Sequence, residues 1–264
     1  MSAIEAIILG LIQGLTEFLP VSSSGHLAIG KALFGIETSD LTFEVTVHAA
    51  TVLATILVFR KDIWKLLCGL FKFKMNSETH YILLILLSMV PVFIVGMFFK
   101  DQVEAVFGDG LIVVGGALVL TSGLLFFSEA LAARREGEGG KMTWKSALWM
   151  GLAQAVAVVP GLSRSGSTIA TGLLCGVSKE EVTRFSFLMV LIPILGEAFL
   201  DVVGGDFFTS SVGVLPLILG FIAAFVSGLF ACKVMIAIVR KAQLHWFAFY
   251  CALVGLACLI YSLF

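Results

Sequence analysis

The chain alternates between long apolar runs and short polar segments. A helix that crosses a bilayer needs about 17–25 predominantly apolar residues. Six runs approach or reach that length, and each is predicted to be a membrane span: residues 41–59, 81–99, 111–127, 185–200, 212–232 and 246–264.

Two further segments, residues 1–40 and 144–178, have an apolar helical pattern that Pro, Gly and Ser interrupt near its middle. Each is therefore predicted to form a helix, a polar turn and a second helix. We call them the first hairpin and the second hairpin, and we expect both to be re-entrant. Irregular backbone at membrane depth is tolerated only inside protein or beside a watery cavity, so both turns are expected to face a polar interior.

Composition places the chain among integral membrane proteins. Hydrophobic residues make up 59%, charged residues 13%, and the mean hydropathy is +1.06. Soluble domains have roughly 45–50% and about 25% of these residue classes. We predict an all-α polytopic membrane protein whose residues 1–264 form a single integral membrane domain surrounded by lipid. The net charge of -1 gives no reason to expect nucleic acid as a partner.

The distribution of lysine and arginine predicts the orientation of the chain. The segments after residues 59 and 127, and residues 233–245, are rich in positive charge, whereas residues 100–110 contain one lysine and residues 201–211 contain none. Positively charged loops stay in the cytoplasm. The first three segments are therefore predicted to lie inside, and the other two segments and both termini outside.

A shift of 141 positions aligns the two hairpins, pairing Gln13 with Gln154 and Ser22 with Ser163. Three spans follow each hairpin, and because three is odd the second copy must insert in the opposite sense. We predict an inverted-topology repeat: residues 1–130, with hairpin 1–40, and residues 141–264, with hairpin 144–178. The first hairpin enters from outside and the second from the cytoplasm, so their turns are expected to meet near the midplane.

The two polar turns carry groups suited to an anion. Gln13 and Glu17 are four residues apart and share one helix face. The serine-rich stretches at 22–24 and 163–167 each open a helix, where free N–H groups and the helix dipole favour an anion, and Arg164 adds a fork that matches phosphate oxygens. Polar groups are costly in a bilayer, which favours a functional role. We predict a phosphate or diphosphate site, in which Glu17 binds a divalent cation or acts as an acid.

Three motifs extend this prediction to a known family: Gln13-x-x-x-Glu17 with the following Pro-Val-Ser-Ser-Ser-Gly-His, Pro160-Gly161-Leu-Ser163-Arg164-Ser165-Gly166-Ser167-Thr168, and Arg184-Phe-Ser-Phe-Leu with Ile192-Pro193. Together they resemble the undecaprenyl-diphosphate phosphatases of the bacitracin-resistance type, over essentially the whole chain. The resemblance implies a bacterial inner-membrane enzyme that removes the terminal phosphate of undecaprenyl diphosphate and so recycles the lipid carrier for peptidoglycan and other wall polymers. It also implies a divalent cation, Mg or Ca, and bacitracin resistance on overproduction.

Carried over residue by residue, the resemblance implies that Glu17, Ser23, His26 and Arg164 are catalytic and that Glu17 is the metal ligand. The substrate-binding candidates are Gln13, Ser22, Ser24, Gly25, Ser163, Ser165, Gly166 and Thr168. The chain departs from the family at Gln13, where many members carry Glu, so Glu17 must serve as the motif's single carboxylate. Ser24 stands where others have Thr and keeps the hydroxyl.

The expected chemistry is an in-line displacement at the terminal phosphorus. Arg164, the serine-rich helix starts and a cation held by Glu17 would stabilise charge on the non-bridging oxygens. The attacking group stays open. Ser23 could attack after His26 takes its proton, forming a phosphoserine, or His26 or Glu17 could activate a water directly. We favour Ser23.

Polar residues outside the motifs have several interpretations. Glu44 and His48 begin a stripe, continued by Thr51 and Thr55, that is predicted to line the bundle interior, with Glu44 a further candidate for metal or substrate. Residues 197 and 201, both acidic, are either a structural pair near the outer surface or part of a pathway.

Transport is the alternative function, because inverted repeats with broken helices are typical of secondary transporters. The same site would then carry a polyprenyl phosphate head group across the membrane, as a transporter or flippase. The cavity is expected to open to the extracytoplasmic side, where the first hairpin enters. The oligomeric state stays open, a homodimer included.

Overall fold

A computed structural model describes residues 1–36, 42–99, 110–134, 139–196, 212–241 and 244–263. These residues are helical apart from turns and one isolated bridge between Gly140 and Val177, which confirms the all-α prediction. Their main helices are α1 (Ala3–Thr16), α2 (Ser23–Phe34), α3 (Thr42–Val58), α4 (Arg60–Leu70), α5 (Ser77–Phe98), α6 (Gly110–Ala133), α7 (Trp144–Val156), α8 (Arg164–Leu174), α9 (Lys179–Met189), α10 (Val214–Lys241) and α11 (Leu244–Tyr261). Glu197, Asp201 and most of the two loops predicted to lie outside fall beyond the described residues.

Four of the described helices are long and apolar enough to cross a membrane: α5, α6, α10 over Val214–Ala237, and α11. The pair α3 and α4 adds a fifth if it forms one bent span. The chain is therefore a multi-pass membrane protein. Most of these helices extend beyond the predicted apolar runs, because polar residues at their ends continue the same backbone hydrogen bonding.

Two of the predicted spans differ in the structure. The run at 41–59 forms α3, and the chain then bends by 74° into α4 at Phe59, whose backbone leaves the helical region. The run at 185–200 does not start a helix. It begins inside α9, which ends at Met189, and a short helix follows over residues 191–196. Pro193 lies just after this break, and it lacks the N–H that would continue the bonding to Met189.

Both hairpins contain two helices around a polar turn, as predicted. In the first hairpin, α1 opens with a capping box of Ser2 and Glu5, and α2 ends at Gly35 in the left-handed conformation. In the second hairpin, Thr143 caps α7 and Ser163 caps α8. Each turn is thus bounded by a helix end and a capped helix start.

Close helix contacts fix the hairpins against the long helices. The first helix, α1, packs along α10, and the corresponding helix of the second hairpin, α7, packs along α5. A Cβ placed on Gly14 would lie 2.4 Å from the carbonyl oxygen of Ala224, and one placed on Gly151 would lie 2.3 Å from that of Ser88. Small residues therefore allow the backbones to approach, as is typical of helices packed in membranes.

Core and lipid-facing surfaces are separated around this bundle. The largest buried apolar cluster of the described residues includes Phe18, Met150, Phe185 and Met189. Large side chains such as Phe230 and Phe249 are exposed on the outer faces of α10 and α11. This is the arrangement expected when lipid, rather than water, surrounds the helices.

Candidate active site

Glu17 lies at the end of α1, where the first polar turn (residues 17–22) begins. Its side chain is only 9% exposed. Three groups donate to its carboxylate: Gln13 Nε2 to Oε2 at 2.9 Å, Ser23 Oγ to Oε2 at 2.5 Å, and Arg164 through a terminal nitrogen to Oε1 at 2.8 Å. Bonds to a charged acceptor are short and directional, so this carboxylate is firmly placed.

The helix starts that follow the two turns are built alike. Ser22 caps α2 by accepting from the N–H of Gly25 at 3.2 Å, and Ser163 caps α8 by accepting from the N–H of Gly166 at 3.0 Å. Ser22 has a φ of 68°, a conformation that a residue with a side chain rarely adopts. Such strain is typical of functional sites.

The first residues of α2 and α8 are Ser23 and Arg164, which correspond under the shift of 141. Both reach the same carboxylate, Glu17, although Arg164 is 147 residues away from it in sequence. The counterpart of Glu17 in the second turn (residues 157–163) is Val158. The two halves therefore contribute different groups, an acid and a hydroxyl from the first and a guanidinium from the second.

Direct contacts join the two turns. Ser165 Oγ donates to the carbonyl of Leu19 at 3.1 Å, and the N–H of Gly161 donates to Ser24 Oγ at 3.4 Å. A Cβ on Gly25 would lie 3.1 Å from the Cα of Gly161, so the backbones pass close to each other. The meeting of the two turns, expected from the repeat, is present in the structure.

His26 faces away from the Ser23 hydroxyl in the described contacts. Its Nδ1 lies 2.7 Å from the carbonyl oxygen of Ser22, and its Nε2 lies 2.7 Å from the hydroxyl of Tyr250, on which the ring also stacks. Because a carbonyl only accepts, Nδ1 carries the hydrogen and Nε2 accepts from Tyr250. The group placed to take the Ser23 proton is therefore Glu17, and a role for His26 stays a prediction.

The polar stripe on α3 contributes one residue that the sequence placed only in the lining. His48 Nε2 lies 3.6 Å from Glu17 Oε2. Glu44, a further candidate for metal or substrate, forms an ion pair with Lys31 of α2. The helical periodicity of the sequence indicated that the polar face of α3 points inward. It could not indicate which residue of that face lies next to Glu17.

A small cavity of about 20 Å³ adjoins Glu17 and Arg164. Gln154, the counterpart of Gln13, lines it, and neither polar atom of its buried amide has a hydrogen-bond partner among the described residues. Thr168, a substrate-binding candidate, is buried and shares a 2.6 Å hydrogen bond with Ser186. Its hydroxyl is thus engaged within the bundle.

The oxygen atoms available to the predicted divalent cation are those of Glu17 and Gln13. In the part of the chain that the structure describes, no three or more His, Cys, Asp or Glu residues form a metal cluster. Gln13 Oε1, however, is buried without a hydrogen-bond partner among those residues, next to the Glu17 carboxylate that its amide nitrogen contacts. Hard cations such as Mg²⁺ are commonly held by one or two protein oxygens together with substrate phosphates.

A family model and curated relatives both match this chain over nearly its whole length. Residues 6–257 match the family model described as "Bacitracin resistance protein BacA". Two curated relatives named "Undecaprenyl-diphosphatase" are each 57% identical: that of Bacteroides fragilis, over 99% of both chains, and that of Bacteroides thetaiotaomicron, over the whole of both. A relative of the same name from Christiangramia forsetii is 48% identical over 99% of both chains.

Proposed function

Because this chain belongs to the bacitracin resistance protein BacA family, we propose that it hydrolyses undecaprenyl diphosphate to undecaprenyl phosphate and inorganic phosphate. The relatives named for this activity match it from end to end. The observation that carries the proposal is the Glu17 carboxylate, which lies between the hydroxyl of Ser23 and the guanidinium of Arg164. A proton acceptor (Glu17), a nucleophile (Ser23) and a side chain that binds phosphate oxygens (Arg164) thus occupy one site.

The attacking group in this proposal is Ser23. Glu17 Oε2 takes the hydroxyl proton while Oγ attacks the terminal phosphorus, and the bond from that phosphorus to the bridging oxygen breaks. Undecaprenyl phosphate leaves with the bridging oxygen. The departing undecaprenyl phosphate takes the proton from Glu17. A water then attacks the phosphoserine while Glu17 takes one of its protons and passes it to Ser23 Oγ, so that the bond from phosphorus to Oγ breaks, inorganic phosphate leaves and the Ser23 hydroxyl is restored.

Arg164 and the helix starts bind and stabilise the phosphate groups. One terminal nitrogen of Arg164 donates to Glu17. The other N–H groups of the guanidinium are then available to phosphate oxygens. The starts of α2 and α8 lie close together, because Ser24 and Ser165 join the two turns, and the dipoles of both helices favour an anion there. The further proposed contacts are Gln13, Ser24, Gly25, Ser165, Gly166 and Thr168.

A divalent cation, Mg or Ca, belongs to the proposal, held by Glu17 and the free Oε1 of Gln13. When bound, it neutralises charge on the phosphate oxygens. Chelation with EDTA is expected to stop phosphate release, and added Mg²⁺ or Ca²⁺ to restore it. Turnover that persists in EDTA after dialysis would contradict this part of the proposal.

The proposed architecture is an inverted-topology repeat, residues 1–130 and 141–264, with six spans and two re-entrant hairpins. Two features support it. The pairs α1 with α10 and α7 with α5 correspond under the repeat. Helices α6 and α11 cross at Gly115 and Gly255, where a Cβ on either would meet the other's carbonyl oxygen within 2.9 Å.

The proposed location is the bacterial inner membrane, with the cavity open to the extracytoplasmic side. The support is the positive charge of the segments around Lys72 and Lys141, which favours a cytoplasmic position for both. The first hairpin, which carries Glu17 and Ser23, then enters from the opposite face.

Phosphate release by the purified protein tests the function. In detergent with undecaprenyl diphosphate and Mg²⁺, we expect release of inorganic phosphate by the wild type and little by Glu17→Gln, which keeps the size of the side chain. The exposed Glu180→Gln is the matched control and should be as active as the wild type. A carrier would move the lipid between two compartments without releasing phosphate. A wild type that releases no phosphate in this assay would therefore overturn the proposed hydrolysis. The relatives' names give the carrier alternative no support.

A rapid-quench experiment tests the nucleophile. The protein is mixed briefly with substrate labelled in the terminal phosphate and quenched in acid, and the peptides are mapped. We expect label on Ser23 and none in Ser23→Ala. Full turnover without label on Ser23 would instead assign the attack to water.

A further inference from the structure

His48 is held in one orientation on α3. Its Nδ1 lies 2.8 Å from the carbonyl oxygen of Glu44, one turn earlier on the same helix. The Glu44 carbonyl and the Glu17 carboxylate both only accept, so contact with both requires a hydrogen on each ring nitrogen: Nδ1 donates to the carbonyl, which fixes the ring, and Nε2–H of the imidazolium faces the carboxylate. The opposite nitrogen, Nε2, is thereby directed at Glu17 Oε2, 3.6 Å away.

The helix that carries His48 is itself anchored. Glu44 pairs with Lys31 in the last turn of α2, which ties α3 to the helix that begins at Ser23. The next members of the polar stripe, Thr51 and Thr55, donate to carbonyls of their own helix. Among the described contacts of this stripe, His48 is the member aimed at the carboxylate.

The other partners of Glu17 also interact with the substrate or the cation in the proposed mechanism. Under the proposed function, Arg164 also binds phosphate oxygens, Ser23 turns to the phosphorus, and Gln13 offers its free oxygen to a cation. Each of these contacts changes when substrate binds. His48, 17% exposed and anchored on α3, is the partner whose attachment is independent of the substrate.

We infer that His48 is a positioning residue, which holds the Glu17 carboxylate against the Ser23 hydroxyl while Arg164 engages the diphosphate. This inference rests on the proposed function and adds a residue to it. The closure needed is small, because 3.6 Å is just beyond the length of a hydrogen bond. A small displacement of a catalytic group is enough to slow turnover strongly.

Two substitutions of similar size distinguish a positioning role of His48 from a packing role. His48→Gln keeps an N–H donor at a similar reach, whereas His48→Met fills the space without one. The exposed His80, on α5, supplies the controls His80→Gln and His80→Met. Initial rates of phosphate release are measured against undecaprenyl diphosphate concentration, alongside thermal unfolding in detergent.

We expect His48→Met to lower kcat by roughly 10- to 100-fold with KM changed less than about threefold, because the contact acts on the reacting groups. His48→Gln should recover most of kcat, and both should unfold near the wild-type temperature. Should the Met variant fail to fold, His48→Leu replaces it.

Two results would overturn the role of His48. One is a kcat of a folded donor-free variant within about threefold of the wild type. The other is an equal loss in the Gln and donor-free variants. A wild type that releases no phosphate would instead overturn the proposed function, and with it this role.

Discussion

At the scale of single residues, the site depends on one carboxylate, Glu17, and on the three side chains that donate hydrogen bonds to it. Glu17 accepts from Gln13, Ser23 and Arg164, and it does so with most of its surface buried. In a medium that solvates charge poorly, such a carboxylate is retained only when its partners compensate for the lost water. The same partners give it the geometry for proton transfer.

The fork of Arg164 leads to a prediction about charge and shape. Arg164→Lys keeps the positive charge but cannot bind Glu17 and phosphate through one planar group. We expect turnover to fall by about 100-fold or more, as for loss of an electrostatic stabiliser. Arg60→Lys, at an exposed position, is the control. Phosphate release measures both, and near-normal turnover in Arg164→Lys would argue against bidentate binding.

The positive φ of Ser22 predicts an unusual order of stability. Ser22→Ala removes the cap of α2 and keeps the strained backbone, so it should cost about 0.5–2 kcal/mol. Ser22→Gly loses the same hydroxyl but relieves a conformation that costs about 1–3 kcal/mol in other residues. We expect the Gly variant to unfold at or above the wild-type temperature and the Ala variant below it. The reverse order would show that Ser22 is not strained.

At the scale of elements, glycine contacts set the depth of each hairpin in the bundle. Gly10 and Gly14 lie one turn apart on α1 and face the backbone of α10. Since α1 carries Gln13 and ends at Glu17, its separation from α10 also fixes where the carboxylate lies. Packing and catalysis are therefore coupled through one helix.

Enlarging Gly14 tests this coupling. A Cβ there would meet Ser227 Oγ and backbone atoms of α10, so Gly14→Ala must push the helices apart, at a cost of about 1–3 kcal/mol. We expect a lower unfolding midpoint in detergent together with reduced phosphate release. Gly123→Ala, where no atom lies within 4 Å of the added carbon, should change neither. Equal effects at the two positions would contradict the close contact.

At the scale of the whole molecule, two unlike turns lie against each other, and the proposed inverted repeat accounts for their meeting. Each turn is followed by a serine-capped helix, but the first supplies Glu17 and the second Arg164. In the proposed inverted repeat, two copies facing in opposite directions would bring such ends to one depth. The six spans of that proposal would also put both termini on one side.

Cysteine accessibility tests that orientation. In a variant without the five native cysteines, single cysteines replace Ser2, Lys74, Lys141 and Leu263, all exposed. A membrane-impermeant maleimide added to intact cells is expected to label positions 2 and 263, whereas positions 74 and 141 should react only after permeabilisation. Labelling of positions 2 and 263 from opposite sides would contradict the proposed repeat.

The sequence by itself determined the helical membrane class, the two broken helices and the serine-rich caps. These follow from hydrophobic periodicity, Pro and Gly positions and local hydrogen bonding, which act over a few residues. It also pointed to Glu17, Ser23 and Arg164, through the spacing of their motifs and the family they resemble. Hydrophobicity alone did not predict that the chain continues as a helix after a bend at Phe59, and it ran through the break after Met189, which Pro193 could have signalled.

Only the tertiary structure decided which polar groups meet. Periodicity assigned His48 to an inward face, but its approach to Glu17 depends on how α3 packs beside α1. The pairing of His26 with Tyr250, 224 residues apart, likewise depends on how α11 packs. Local patterns report which side of a helix is buried, whereas the identity of the partner is fixed by packing between distant segments.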